Sequence, residues 1–268
     1  MARLKLAIHG AAGRMGQRLV ALAACDPELE LVAALESAAH PRIGTDAGLV
    51  AGTGELSIKL DSRLTAPADV VIDFSTPEGA DEIIRTCVER KTPLVMATTG
   101  LAREQQENLR AASRSIPVLW APSMSLAVNL AMKLTEVAAG ALKDHPAGAD
   151  VEIIERHHRF KEDAPSGTAL KFGELIAAAM GQTKHVHGRE GRPGKRPHGE
   201  IGYHALRVGD NPGEHTIVFG LLGETLELSV KATSRDCYAH GALSAAKFLA
   251  TKPAGLYGME DVLGLRGE

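Results

Sequence analysis

Short apolar runs recur along the first 120 residues, with helical patterns between them. Leu4 to Ile8, Leu29 to Leu35, Val70 to Asp73, Pro93 to Met96 and Pro117 to Trp120 are each followed by a Gly, Ser, Thr or Pro loop, which predicts buried parallel strands. Arg14 to Ala24, Glu78 to Arg90 and Arg103 to Arg114 space their apolar residues as helices that cover a sheet. Alternation of this kind predicts an α/β fold with a Rossmann-like, doubly wound parallel sheet.

A long helical pattern, Leu126 to Leu142, stops at Asp144-His145-Pro146, and the pattern then changes. Val151 to Glu155, His215 to Leu221 and Thr225 to Lys231 read as strands and Ser166 to Met180 as a helix. In the last strand Leu226, Leu228 and Val230 alternate with Glu227, Ser229 and Lys231, the period of a sheet buried on one face. Gly181 to Glu200 is aperiodic and rich in Gly, Pro, Arg and His, so it reads as a long mobile loop. A final helix from about Ala239, apolar at Leu243, Ala246, Phe248 and Leu249, is expected to return to the first domain. The expected division is a dinucleotide-binding domain, 1–128 with 240–268, and a second α+β domain with an open mixed sheet, 129–239.

Composition narrows the classes. Thirty basic against thirty-three acidic residues give no global positive field, and 3% aromatics leave few rings to stack on bases, so nucleic acid is not an expected partner. The basic stretch His185 to His198 reads as part of a substrate-gathering loop. The chain carries no apolar run of the ~18 residues a bilayer demands, and the apolar stretch before Cys25 is broken by His9, Arg14, Gln17 and Arg18. No membrane association and a cytoplasmic location are expected. Cys25, Cys87 and Cys237 are odd in number and far apart, which predicts reduced, mostly buried thiols. His157, His158, His185 and His187 could be imagined around zinc, but neighbours on a strand point to opposite faces, and no metal is expected.

Two segments carry chemistry. Gly10-Ala11-Ala12-Gly13-Arg14-Met15-Gly16 follows a strand and opens a helix. Glycines there permit a tight turn and a close backbone approach to a pyrophosphate, whose charge meets the free N–H groups of the helix start. Glu36, at the end of the second strand, can take the ribose hydroxyls and disfavours a 2′-phosphate, so NADH is preferred over NADPH, which Arg14 or Arg42 would still admit. Loops at Asp73 to Thr76, Ala97 to Gly100 and Ala121 to Met124 face the same crevice.

The second segment runs from Glu152 to Ala169. His157 and His158 follow a strand, Lys161 lies just beyond, and Pro165-Ser166-Gly167-Thr168 starts a helix whose N–H groups can receive a carboxylate. Imidazole or a partly desolvated lysine can supply a proton. Taken singly, the histidines could be solvated, Lys161 a surface lysine and Ser166 an N-cap.

The motif E-x-x-E-x-H-H-x-x-K-x-D-x-P-S-G-T-A, intact from Glu152 to Ala169, resembles that of the 4-hydroxy-tetrahydrodipicolinate reductases, also called dihydrodipicolinate reductases. Gly10 to Gly16, Asp73-Phe74-Ser75, Thr98-Thr99-Gly100, Gly199 to Gly202, Gly213-Glu214-His215 and Ser234-Arg235 extend the likeness over nearly the whole chain. The resemblance implies His157 and Lys161 as catalytic acid/base groups, Lys161 the more immediate donor. It implies substrate contacts from His158, Ser166, Gly167 and Thr168. The cofactor contacts it implies are Gly10, Ala11, Ala12, Gly13, Arg14, Met15, Glu36, Ala97, Thr98, Thr99, Ala121, Pro122, Ser123 and Met124. It further implies reduction of the cyclic hydroxy-dicarboxylate of lysine and diaminopimelate biosynthesis by NAD(P)H with loss of water. A homotetramer joined through the second domain's sheet is implied too. Ser37, Ala97, Met124, Val208 and Val230 depart from residues common in the family, and Ser37 in place of arginine favours NADH. A dehydrogenase of another small amino acid and an NADH-sensing binding protein stay open as rivals.

Overall fold

The computed structural model describes residues 2–266. The chain forms two compact units, one from the chain up to Leu126 together with the chain from Asp236, the other from Ala127–Arg235. The elements of the first are β1 (Leu4–His9), α1 (Arg14–Cys25), β2 (Leu29–Leu35), α2 (Ala47–Ala51), β3 (Leu60–Asp61), β4 (Val70–Asp73), α3 (Pro77–Arg90), β5 (Leu94–Met96), α4 (Arg103–Ala112) and β6 (Pro117–Trp120). The chain continues through α5 (Leu126–Leu142), β7 (Asp150–His157), α6 (Gly167–Met180), β8 (Lys184–His187), β9 (Glu200–Arg207), β10 (Gly213–Gly220) and β11 (Thr225–Ala232). It returns to the first unit as α7 (Asp236–Leu249), β12 (Gly255–Tyr257) and α8 (Met259–Val262).

The first sheet has the order β12-β6-β5-β4-β1-β2-β3 with every neighbour parallel. Strand order reverses between β1 and β4, and in open α/β sheets the crevice beyond the strand ends at such a point takes the ligand. Both faces are apolar. Leu6, Ile8, Val70, Ile72, Val95 and Leu119 share a core with Leu19 and Val20 of α1 and Ala242 and Ala246 of α7. Their neighbours Ala7, Val71, Leu94, Met96 and Val118 turn onto Ile83, Ile84 and Cys87 of α3 and Leu109 of α4. A strand sends successive side chains to opposite faces, so continuous apolar runs here serve two helix layers at once.

The second sheet is mixed, β11-β10-β7-β9-β8, antiparallel at β11–β10 and β10–β7 and parallel at β7–β9 and β9–β8. Val151, Ile153, Ile201, Tyr203, Ile217 and Phe219 pack with Val128 and Ala131 of α5 and Phe172 and Ile176 of α6. On the opposite face Ile154 and Leu206 are 39% and 41% exposed.

Three expectations are corrected. Gly181 to Glu200 is not wholly irregular: it contains β8, and β9 begins at its end. Two of its arginines are engaged within the unit, Arg189 on Glu152 and Glu200, and Arg196 on Asp150, Glu152 and the carbonyl oxygens of Val151 and Glu200. Gly202 lies on the outer face of β9, opposite Glu152 of β7; a Cβ there would overlap the carboxylate of Glu152. β11 lies at the sheet edge, where Val230 is buried but Leu226 is exposed. Among the thiols Cys87 is buried, Cys237 half-buried and Cys25 exposed.

Candidate active site

The turn between β1 and α1 is shaped by backbone crowding. Gly10 has φ +77°, and a Cβ on it would stand 2.5 Å from the carbonyl oxygen of Phe74. On Gly16 a Cβ would overlap the carbonyl oxygen of Gly10 and lie 2.7 Å from Ala11 Cα. The first position therefore needs positive φ, and the third needs helix and turn in contact. Gly13 is the N-cap of α1 and supplies no side-chain acceptor, so the first-turn amides lack the side-chain partner that Ser or Asp would bring. These amides suit an anion.

A crevice of about 1070 Å³ opens here, lined by Gly10, Gly13, Arg14, Met15, Glu36, Phe74, Ser75 and Thr99 among others. Glu36 is anchored: its Oε2 accepts from Ala12 N–H at 3.1 Å and its Oε1 from Ser37 N–H at 2.9 Å. Ala11, Ala12 and Ala97 are buried. Ala121, Pro122, Ser123 and Met124 follow β6 and do not line this crevice. Turn, helix start and the Glu36 carboxylate together fit a dinucleotide.

Two residues at the strand-order reversal belong to this site: Asp73, which the sequence places in a crevice-facing loop without a role, and His9, which it does not single out. Asp73, fully buried at the end of β4, receives Thr98 Oγ1–H at 2.7 Å and pairs with His9 Nδ1 at 2.7 Å. Thr98 Oγ1 accepts in turn from Ser75 N–H at 2.9 Å. His9 lines the crevice. The signal was a carboxylate ending an otherwise apolar strand.

In the second unit, β7 carries Glu155 and His157 on the inward face, in register with Val151 and Ile153. Glu155 is 1% exposed. It receives both terminal nitrogens of Arg207 at 2.8 Å, Ser166 N–H at 3.1 Å and His157 Nδ1 at 2.5 Å. Burial pushes its carboxyl up, but the hydrogen bonds from Arg207 and His157 outweigh this and hold it below the usual range. Burial pushes His157 down, against the opposing pull of Glu155. His215 lies edge-on to His157, with centroids 5.2 Å apart, and burial lowers it to about 4.

Ser166 is the N-cap of α6: its Oγ accepts from Ala169 N–H at 3.2 Å and bonds His215 Nε2 at 3.0 Å. His215, neutral near pH 7, can accept the hydroxyl proton. The amides of Gly167 and Thr168 begin the helix and have no partner inside it. Lys161 Nζ sits on Asp163 at 2.7 Å, and its charge bears on both His157 and His215. His158 Nδ1 is buried without a partner. His157, Ser166 and Lys161 are thus gathered at one end of the unit; sequence reasoning missed Arg207 and His215, which reach the cluster from other strands.

Two family models span the chain: dihydrodipicolinate reductase, N-terminus, over residues 4–124, and dihydrodipicolinate reductase, C-terminus, over residues 127–263. The 4-hydroxy-tetrahydrodipicolinate reductase of Rhodopirellula baltica is 59% identical, with 98% of this chain and 96% of that protein covered. Its counterpart in Burkholderia thailandensis is 45% identical, covering 99% and 100%. A dipicolinate-bound dihydrodipicolinate reductase from Paenisporosarcina sp. TG-14 has TM-score 0.78 at 27% identity, covering 97% of this chain and 99% of that one. The C. glutamicum DAP dehydrogenase in complex with DAP, at TM-score 0.52 and 14% identity over 100% and 97%, shares the fold alone.

Proposed function

The chain belongs to the dihydrodipicolinate reductase family, and on that premise we propose that it reduces 4-hydroxy-tetrahydrodipicolinate to tetrahydrodipicolinate with NAD(P)H and loss of water. The reaction belongs to lysine and diaminopimelate biosynthesis. The single observation that carries the reading is the buried Glu155–His157–Ser166–His215 cluster beside Lys161, within a chain 59% identical to a reductase of that name. Fresh substrate and NADH test it: the protein should oxidise the cofactor in step with substrate, and pyridine-2,6-dicarboxylate, a planar mimic of the product ring, should inhibit.

Gly10, Ala11, Ala12, Gly13, Arg14 and Met15 hold the pyrophosphate, Glu36 the adenosine ribose, and Ala97, Thr98 and Thr99 the nicotinamide half; Ala121, Pro122, Ser123 and Met124, outside the lining of the crevice, are assigned to the same half on the family likeness alone. Bound there, the cofactor supplies a hydride. Ser166, Gly167 and Thr168 take a substrate carboxylate on the start of α6, and His158 contacts the substrate. Lys161 delivers the proton that balances the hydride, with His157 as its acid/base partner. NADH is preferred, because Glu36 faces the ribose and Ser37 offers no cation to a 2′-phosphate.

The functional unit is a homotetramer that uses the sheet face bearing Ile154 and Leu206. Their exposure and the mixed apolar and polar character of that face support this reading. The engagement of Arg189 and Arg196 by carboxylates of the same unit supports a small-molecule enzyme without a nucleic-acid partner, and a cytoplasmic location belongs to the same reading. No helix among the described residues is long and apolar enough to cross a membrane.

A further inference from the structure

The two nitrogens of His157 have unlike surroundings. Nδ1 lies 2.5 Å from Oε2 of Glu155. Nε2 lies beside the backbone of Gly213, where a Cβ would stand only 2.8 Å away, so position 213 sets no side chain against that nitrogen. Gly213 has φ 151° and is itself fixed by its N–H, which donates to Asn211 Oδ1 at 2.8 Å.

Glu155 is built to accept. Arg207 presents its two terminal nitrogens to the two carboxylate oxygens, each at 2.8 Å, and the N–H of Ser166 adds a third donor at 3.1 Å. Arg207 is held in turn, since the same fork donates to the carbonyl oxygens of Leu206 and Asp163. An ionised carboxylate has no proton to give, so the bond between Glu155 and His157 requires the hydrogen on Nδ1.

We propose that Glu155, clamped by Arg207, is a positioning residue that fixes His157 in the Nδ1–H tautomer and thereby makes Nε2 the atom that exchanges protons. The inference rests on the acid/base role given to His157 above.

The groups facing the imidazole come from every element around it: Glu155 from β7, Arg207 from β9, His215 from β10, and Lys161, Asp163 and Ser166 from the segment joining β7 to α6. Glu155 alone among the groups named as acting on His157 raises its affinity for a proton; burial, Lys161 and Arg207 all lower it. Removing the Glu155 charge leaves those three unopposed, so His157 must titrate at lower pH.

The test compares wild type, Glu155→Gln and the conservative Glu155→Asp. Each is checked for NADH binding, a property of the first unit, and assayed for kcat and KM across the neutral pH range. The tautomer is read by nitrogen-15 NMR of histidine-labelled protein, with His157→Gln assigning the signal. In wild type, neutral His157 should carry its proton on Nδ1. In Glu155→Gln, kcat should fall at least about tenfold while KM changes less than about threefold. The kcat limb belonging to His157 should move down by about one pH unit or more. Glu155→Asp should recover part of both.

An Nε2–H tautomer in wild type overturns the proposal, as does a Glu155→Gln enzyme with an unmoved pH profile. Should Glu155→Gln fail to fold, Arg207→Lys, which keeps the charge and loses the fork, must reproduce the fall in kcat, and the wild-type tautomer decides independently. Wild-type protein that binds NADH but turns over no substrate removes the reductase reading instead, and the NMR result still judges the geometry.

Discussion

Glu36 accepts a hydrogen bond from the backbone N–H of Ala12 at 3.1 Å, tying the end of β2 to the glycine turn after β1. Its second oxygen is held by Ser37 N–H. The carboxylate cannot swing aside for a 2′-phosphate without breaking both bonds, and no cation at position 37 offsets its charge. Wild type should therefore show the higher kcat/KM with NADH. Ser37→Arg should raise kcat/KM for NADPH by about tenfold, the worth of one charge-assisted hydrogen bond. A wild type strongly selective for NADPH would contradict the role given to Glu36.

Gly16 tests the packing of the same turn. A Cβ there meets only backbone, the Gly10 carbonyl and Ala11, which cannot rotate away. Gly16→Ala should cost about 1–3 kcal/mol of stability, as overpacked sites do. It should also weaken NADH binding at least tenfold, read by cofactor fluorescence titration and thermal unfolding. Unchanged affinity would separate this turn from the pyrophosphate.

How far these features could be read in advance depended on whether the signal was local. Strands β2, β4 and β6 and helix α5 match their expected limits because each is a mostly apolar run with Pro, Ser or a charged residue within two positions of each end. β9 escaped because only Ile201 and Tyr203 mark its inward face before Ala205 and Leu206 set two apolar residues side by side, and Gly202 on its outer face leaves room for Glu152 of another strand. Likewise His157, Lys161 and Ser166 stood out within one eighteen-residue motif from Glu152 to Ala169, whereas Arg207 and His215 reach it only through strand pairing, which no spacing encodes. Gly181 to Glu200 misled because Gly and Pro content signals a loop but says nothing of the carboxylates that hold Arg189 and Arg196.

Stability of the second unit should decline in acid, with His215 and Glu152 among the groups responsible. His215 is lowered from its ordinary 6.5 to about 4 by burial, so the unfolded chain binds a proton that the folded one refuses. Its contribution is full above pH 6.5 and is lost as pH falls to about 4, at most about 3 kcal/mol. Burial pushes Glu152 up, but Arg189, Arg196 and His204 outweigh it and bring the carboxyl down to about 2, extending the loss below pH 4.5. Denaturant unfolding of wild type and His215→Phe should show the first decline flattened in the variant; identical slopes would contradict the assignment.

In the proposed reaction Lys161, beside His157, delivers the proton that accompanies hydride transfer. Pre-steady-state oxidation of bound NADH, with fresh 4-hydroxy-tetrahydrodipicolinate, compares wild type with Lys161→Ala at equal cofactor saturation. Oxidation should be rapid in wild type and slower by about 10²–10⁴-fold in the variant, with NADH affinity unaltered. Equal rates in the two proteins would contradict it.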